Sequence, residues 1–98
     1  MDFYAFDAEL YCVACGADIC AKMPAPDGYP DERLYDSREY PKGPYAAEES
    51  DRPEHCAGCG VFLENPLTAD GYAYVREALG LYTGLNLDEW RDFYGVSA

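Results

Sequence analysis

The chain has 98 residues, 49% of them hydrophobic, and a formal charge of −12 from nineteen acids against seven bases. That length supplies one domain with a modest core, a size that often relies on a metal or disulfides as a staple. The charge argues against direct nucleic-acid and anionic-membrane ligands, because both need Lys and Arg to meet phosphates, and it points to a basic protein as partner.

The opening "MDFYAFDAEL" is acidic and lacks the basic start and apolar core of a secretory signal. No apolar run approaches the roughly 20 residues of a membrane span. A cytoplasmic setting is therefore expected. Within residues 1–23, "FYAF" and "ELYCV" are short aromatic-rich runs separated by Asp7 and Ala8. They predict a β-hairpin that leads into the first cysteine pair.

Residues 24–53 carry most of the prolines among Asp, Glu, Ser and Gly. This composition predicts a mostly irregular, partly extended loop. Tyr29, Tyr35, Tyr40 and Tyr45 recur there at a spacing that suits neither a helical face nor a strand. Their expected role is to pin the loop onto the core, with a contact surface as the functional alternative.

Beyond the loop, "CGVFLENPL" predicts a strand stopped at Asn65-Pro66. "TADGYAYVREALG" predicts a helix capped by Thr68 or Asp70 and ended by Gly80, with Tyr72, Val75 and Leu79 on one face. "NLDEWRDFYG" predicts a second helix, with an Asn86/Glu89 capping box and Gly95 as terminator. Leu87, Trp90, Phe93 and Tyr94 form its apolar stripe, and Leu79, Trp90 and Phe93 are expected to be buried. The whole reads as one α+β domain over 1–98, with 24–53 as its long loop and 68–95 as its helical part.

The chemistry lies in "YCVACG", residues 11–16, and "HCAGCG", residues 55–60. Two cysteines separated by two residues can hold their sulfurs about 3.5 to 4 Å apart, which suits a tetrahedral ion with metal–sulfur bonds of about 2.3 Å. Gly16 and Gly60 follow the pairs, and glycine lets the backbone turn so that amides point at the thiolates. In a reducing compartment such pairs read as metal ligands before they read as disulfides. Cys12, Cys15, Cys56 and Cys59 thus form a four-cysteine site, with structural zinc favoured over iron or disulfides. A closed thiolate set leaves no open position for water, which argues against hydrolytic zinc chemistry.

These two glycine-closed pairs resemble the knuckles of the zinc-ribbon and rubredoxin-like class. The resemblance covers residues 11–16 and 55–61, and it implies β-hairpins packed around the metal. The proline that often follows the first cysteine of a rubredoxin knuckle is replaced by Val13 and Ala57. The loop also lacks the aromatic pattern around a rubredoxin iron. More loosely, "HCAGCGVFLENPLTADGYAYV" resembles the C-terminal half of small uncharacterised bacterial and phage proteins. That likeness implies a phage or mobile-element setting and supplies no activity.

His55 and Cys20 remain. His55 precedes Cys56, but four better-spaced sulfurs are present, so a supporting or solvent position is expected. Cys20 reads as a small buried hydrophobe. No phosphate-cradling loop, nucleophile elbow or dinucleotide fingerprint occurs, so no enzyme is expected. Three functions fit. The favoured one is an acidic zinc-folded interaction protein, such as a phage-encoded inhibitor that occupies a host protein's basic, nucleic-acid-binding surface. The others are a rubredoxin-like iron electron carrier and a nucleic-acid-binding zinc ribbon. The last is opposed by the scatter of Lys22, Arg33, Arg38, Lys42, Arg52, Arg76 and Arg91.

Overall fold

A computed structural model describes residues 1–97. Among the described residues the architecture is α+β: a three-stranded antiparallel sheet and three α-helices. The chain forms two compact units, one from Met1–Ala46 with His55–Leu63, the other from Ala47–Glu54 with the described residues from Glu64 onward. No helix among the described residues is long and apolar enough to cross a membrane.

The first unit begins with the expected hairpin. Strand β1 (Phe3–Phe6) pairs with β2 (Glu9–Cys12) in the register Phe3 to Cys12 and Ala5 to Leu10. Asp7 and Ala8 both have positive φ, 50° and 64°, the left-handed two-residue turn whose twist matches the flanking strands. β2 delivers Cys12 to the end of the hairpin.

Two elements depart from expectation here. The residues after Cys12 form a helix, α1 (Val13–Lys22), rather than a free knuckle. Cys12 caps it, and the Cys15 amide donates to the Cys12 sulfur at 3.5 Å. The cap and the third helical residue are three positions apart, the same spacing as the cysteine pair. The second departure is in the loop. Lys42–Tyr45 forms β3, which pairs with the free edge of β1 to give the order β2-β1-β3. Gly43 and Pro44 hide this strand from a propensity reading, and an edge position is where proline is tolerated. A 3-10 turn at Glu32–Leu34 also lies in the loop. Tyr35 and Tyr40 are buried, so they do pin the loop down, whereas Tyr29 is 52% exposed.

The expected strand at 59–67 is not formed. Only isolated bridges occur, His55 with Phe62 and Ser50 with Leu67. Glu64 has a φ of 54°, which interrupts an extended run, and the adjacent Phe62 and Leu63 are both buried rather than alternating.

In the second unit, α2 (Ala69–Leu81) starts at Thr68, whose Oγ1 accepts from the Gly71 amide at 3.1 Å. It runs through Gly80 and ends at Tyr82. A Cβ on Gly71 would lie 2.7 Å from the Ser50 carbonyl oxygen, so glycine lets the 47–54 segment approach closely. Helix α3 (Leu85–Tyr94) is capped by Gly84 without a side-chain bond, so the Asn86 capping box is absent. Gly95 ends it in the left-handed conformation, as expected. Leu67, Val75 and Leu79 form the core, with Tyr72, Leu87, Trp90 and Tyr94 packed against it. Leu79 is buried as expected, Trp90 only partly, and Phe93 is 47% exposed. Leu87, Trp90 and Tyr94 follow the helical repeat of the packed face, and Phe93 falls beside it.

A polar hub organises this unit. Asn65 is buried, its Oδ1 accepts from the Glu54 amide at 2.7 Å, and its Nδ2 donates to the Arg52 and Pro66 carbonyls at 3.1 Å. The Tyr94 hydroxyl donates to the Asn65 carbonyl.

Candidate metal centre

Three local features bring the cysteines together. β2 ends on Cys12, the first turn of α1 places Cys15 on the same side, and the turn 56–60 carries Cys56 and Cys59. The turn is built from backbone bonds: the Gly60 amide donates to the Cys56 carbonyl at 2.8 Å, and the Cys56 amide to the Val61 carbonyl at 2.9 Å. It is tied to the hairpin by the Ala57 amide, which donates to the Leu10 carbonyl at 2.9 Å.

The four sulfurs all lie within 4.8 Å of one another. Cys12 and Cys59 sulfurs are 3.8 Å apart, which is non-bonded. It also matches the edge of a tetrahedron with metal–sulfur bonds of about 2.3 Å. The donor set and its spacing fit a metal ion. Cys12 and Cys56 are buried against Leu63, while Cys15 is half-buried and Cys59 exposed, so the cluster faces core on one side and solvent on the other.

Electrostatics separate the thiols. Burial opposes ionisation of Cys56, but backbone amides of Cys12, Cys59 and Gly58 together with the Cys15 thiol outweigh it and bring its pKa down to about 6. The Gly58 amide sits 3.3 Å from this sulfur. Cys15 is pushed up to about 12, first by its hydrogen bond with Cys12 and then by those with Cys56 and Cys59. Four thiols this close cannot all ionise without a cation among them.

The two glycines serve different ends. Gly60 has a φ of 80°, as the turn requires. Gly16 lies inside α1, where a Cβ would stand 2.1 Å from Cδ2 of Tyr4. Its expected turning role is therefore corrected to close packing of α1 against β1. His55 is outside the donor set: its Nδ1 pairs with the Gly60 carbonyl at 3.0 Å and its ring stacks on Phe62. Cys20 lies elsewhere on α1, partly buried. The capping role of Cys12 escaped the sequence reading. Its signal was "ADICAK", residues 17–22, which follows Gly16 and carries the helix formers Ala17, Ala21 and Lys22.

Comparison with protein-family models, curated proteins and solved structures finds no match to the chain. The zinc-ribbon likeness accordingly rests on the four clustered cysteines and the adjoining hairpin sheet.

Proposed function

We propose that Cys12, Cys15, Cys56 and Cys59 hold one structural zinc ion, and that the protein acts by binding a basic partner rather than by catalysis. The observation that carries the metal reading is the convergence of four sulfurs within 4.8 Å. All four tetrahedral positions are then filled by thiolates, which gives the metal a folding role and leaves no position for a reacting water. Metal analysis of purified protein tests it, with one zinc per chain expected. Rubredoxin-like iron on the same ligands would instead give a red protein when oxidised.

The partner reading is supported by charge. Among the described residues only Asp18, Asp31, Glu54 and Asp88 form ion pairs, out of nineteen acids. Glu48, Glu49 and Asp51 are exposed and close in sequence. Exposed Leu81, Tyr82 and Leu85 add apolar surface at the end of α2 and the start of α3. A phage-encoded inhibitor of a nucleic-acid-binding host protein would use such a surface to occupy the host's basic face. The cytoplasmic setting belongs to the same reading, because four reduced thiols are needed for the metal.

A further inference from the structure

The first unit contains a cavity that shares no residue with the four cysteines. This cavity, of about 220 Å³, lies between β1, α1 and the segment 29–43, with Tyr29, Tyr35, Tyr40 and Glu32 in its lining. The three rings touch one another: centroids are 5.5 Å apart for Tyr29 and Tyr40, 6.1 Å for Tyr35 and Tyr40, and 6.3 Å for Tyr29 and Tyr35. Tyr40 stands at 78° to both neighbours, so the trio presents edges and faces together. An aromatic face is electron-rich and attracts cations. One ring of the trio already does so within the molecule, since the Lys42 ammonium lies 5.4 Å from the Tyr35 centroid.

Glu32 supplies the charge. Its Oε1 accepts from the Tyr45 hydroxyl at 2.6 Å and its Oε2 from the Gly43 amide at 2.8 Å. These neutral donors fix the carboxylate without neutralising it, and among the described residues Glu32 is in no ion pair. Tyr40 is pushed up to about 12 by hydrogen bonding toward Cys20 and by burial, and burial likewise raises Tyr35, so these two rings stay neutral.

This lining selects among ligands. An anion is repelled by Glu32. A neutral ligand leaves a half-buried carboxylate with no counter-charge. A primary ammonium is strongly hydrated and needs acceptors for its three N–H groups, which ring faces replace poorly. A methylated ammonium is weakly hydrated, carries its charge on methyl groups and suits aromatic faces. The volume lies below that of pockets for drug-sized molecules, so the bound group is compact.

We propose that the cavity bounded by Tyr29, Tyr35, Tyr40 and Glu32 binds a methylated ammonium group. It reaches the site either as a free quaternary ammonium or as a trimethyllysine side chain. The proposal is independent of the metal and of the basic partner.

The test uses the full-length, metal-loaded protein and amide-resolved NMR titration. Tetramethylammonium and choline should give saturable shifts centred on residues 29–43. The uncharged choline isostere 3,3-dimethyl-1-butanol should bind at least about tenfold more weakly. Glu32→Gln keeps an acceptor for Tyr45 and should weaken choline about tenfold. Tyr29 is the most exposed ring, so its variants leave the fold intact: Tyr29→Phe should hold affinity within about twofold, and Tyr29→Leu should lose about fivefold or more. A trimethyllysine peptide that binds more tightly than choline assigns the side-chain source, and the reverse order assigns the free cation. Equal binding of the neutral isostere, equal binding by Tyr29→Leu and Tyr29→Phe, or no saturable shift would each overturn the proposal.

Discussion

The sulfur of Cys12 stands 3.8 Å from that of Cys59, across a separation of 47 residues. The contact crosses from the first cysteine pair to the second, so neither pair alone forms the site. Cys56→Ser should therefore strip the metal from about one equivalent to below about a tenth, and broaden the thermal transition, because zinc binding and folding are coupled. Cys20→Ser should leave metal content unchanged. Elemental analysis of the two purified variants decides it, and loss of zinc in the Cys20 variant would refute the ligand set.

Gly16 and Gly60 separate two uses of glycine. Gly16→Ala places a methyl 2.1 Å from the Tyr4 ring and 2.7 Å from its Cβ, so it should destabilise by about 1–3 kcal/mol through overpacking. Nothing lies within 4 Å of a Cβ on Gly60, and the difficulty there is its φ of +80°. Gly60→Ala should cost about 1 kcal/mol, and Gly60→Asn less, since Asn visits the left-handed region more readily. Urea unfolding of the three variants measures the ranking. Equal losses for Ala and Asn at 60 would refute the conformational reading.

Leu79 and Leu81 are two positions apart on α2 but are 8% and 65% exposed. Leu79→Ala should cost about 2–5 kcal/mol, and Leu81→Ala about 0.5 kcal/mol or less. Trp90 packs on the same core only in part, so Trp90→Ala should fall below the roughly 3–5 kcal/mol of a fully buried tryptophan. Its fluorescence reports the unfolding of this unit directly.

Tyr45 donates to Glu32, and that bond, with burial, pushes its pKa up to about 12 from 10.0. A raised folded pKa means that this stabilisation is complete below pH 10 and is lost as pH rises through about 12. Circular dichroism between pH 9 and 12, with tyrosinate absorbance followed in parallel, should show late ionisation of Tyr45. Tyr45→Phe should reduce the amplitude of that late step by one tyrosine, because Tyr40 and Tyr94 are also pushed up to about 12. An unchanged titration curve in the variant would show that Tyr45 does not contribute it.

Association with the basic partner, once recovered by affinity capture, should slow as salt rises. Steering acts over a Debye length of roughly 8 Å at physiological ionic strength. Glu48→Lys with Glu49→Lys should slow association about tenfold or more at low salt. A rate that is flat with ionic strength would remove the electrostatic part of the reading.

The sequence alone determined the features that depend on near neighbours. The hairpin followed from two aromatic runs around Asp7-Ala8, the start of α2 from the candidate caps Thr68 and Asp70, the end of α3 from Gly95, and the two cysteine pairs from their spacing. Each depends on chemistry within a few residues, which a linear reading contains, whereas the meeting of the two cysteine pairs across 47 residues belongs to the fold. Tertiary structure alone decided the rest. β3 exists because the edge of β1 offers hydrogen bonds to a segment whose own glycine and proline argue against a strand. The expected strand after Cys59 dissolves into bridges because Phe62 and Leu63 are both drawn inward, which an alternating strand does not allow. Gly16 is glycine because of Tyr4, and Gly71 because of Ser50, neighbours that only the folded chain supplies. Glu32, Tyr29, Tyr35 and Tyr40 surround one cavity for the same reason: their convergence is a property of the folded backbone path, and no local spacing encodes it.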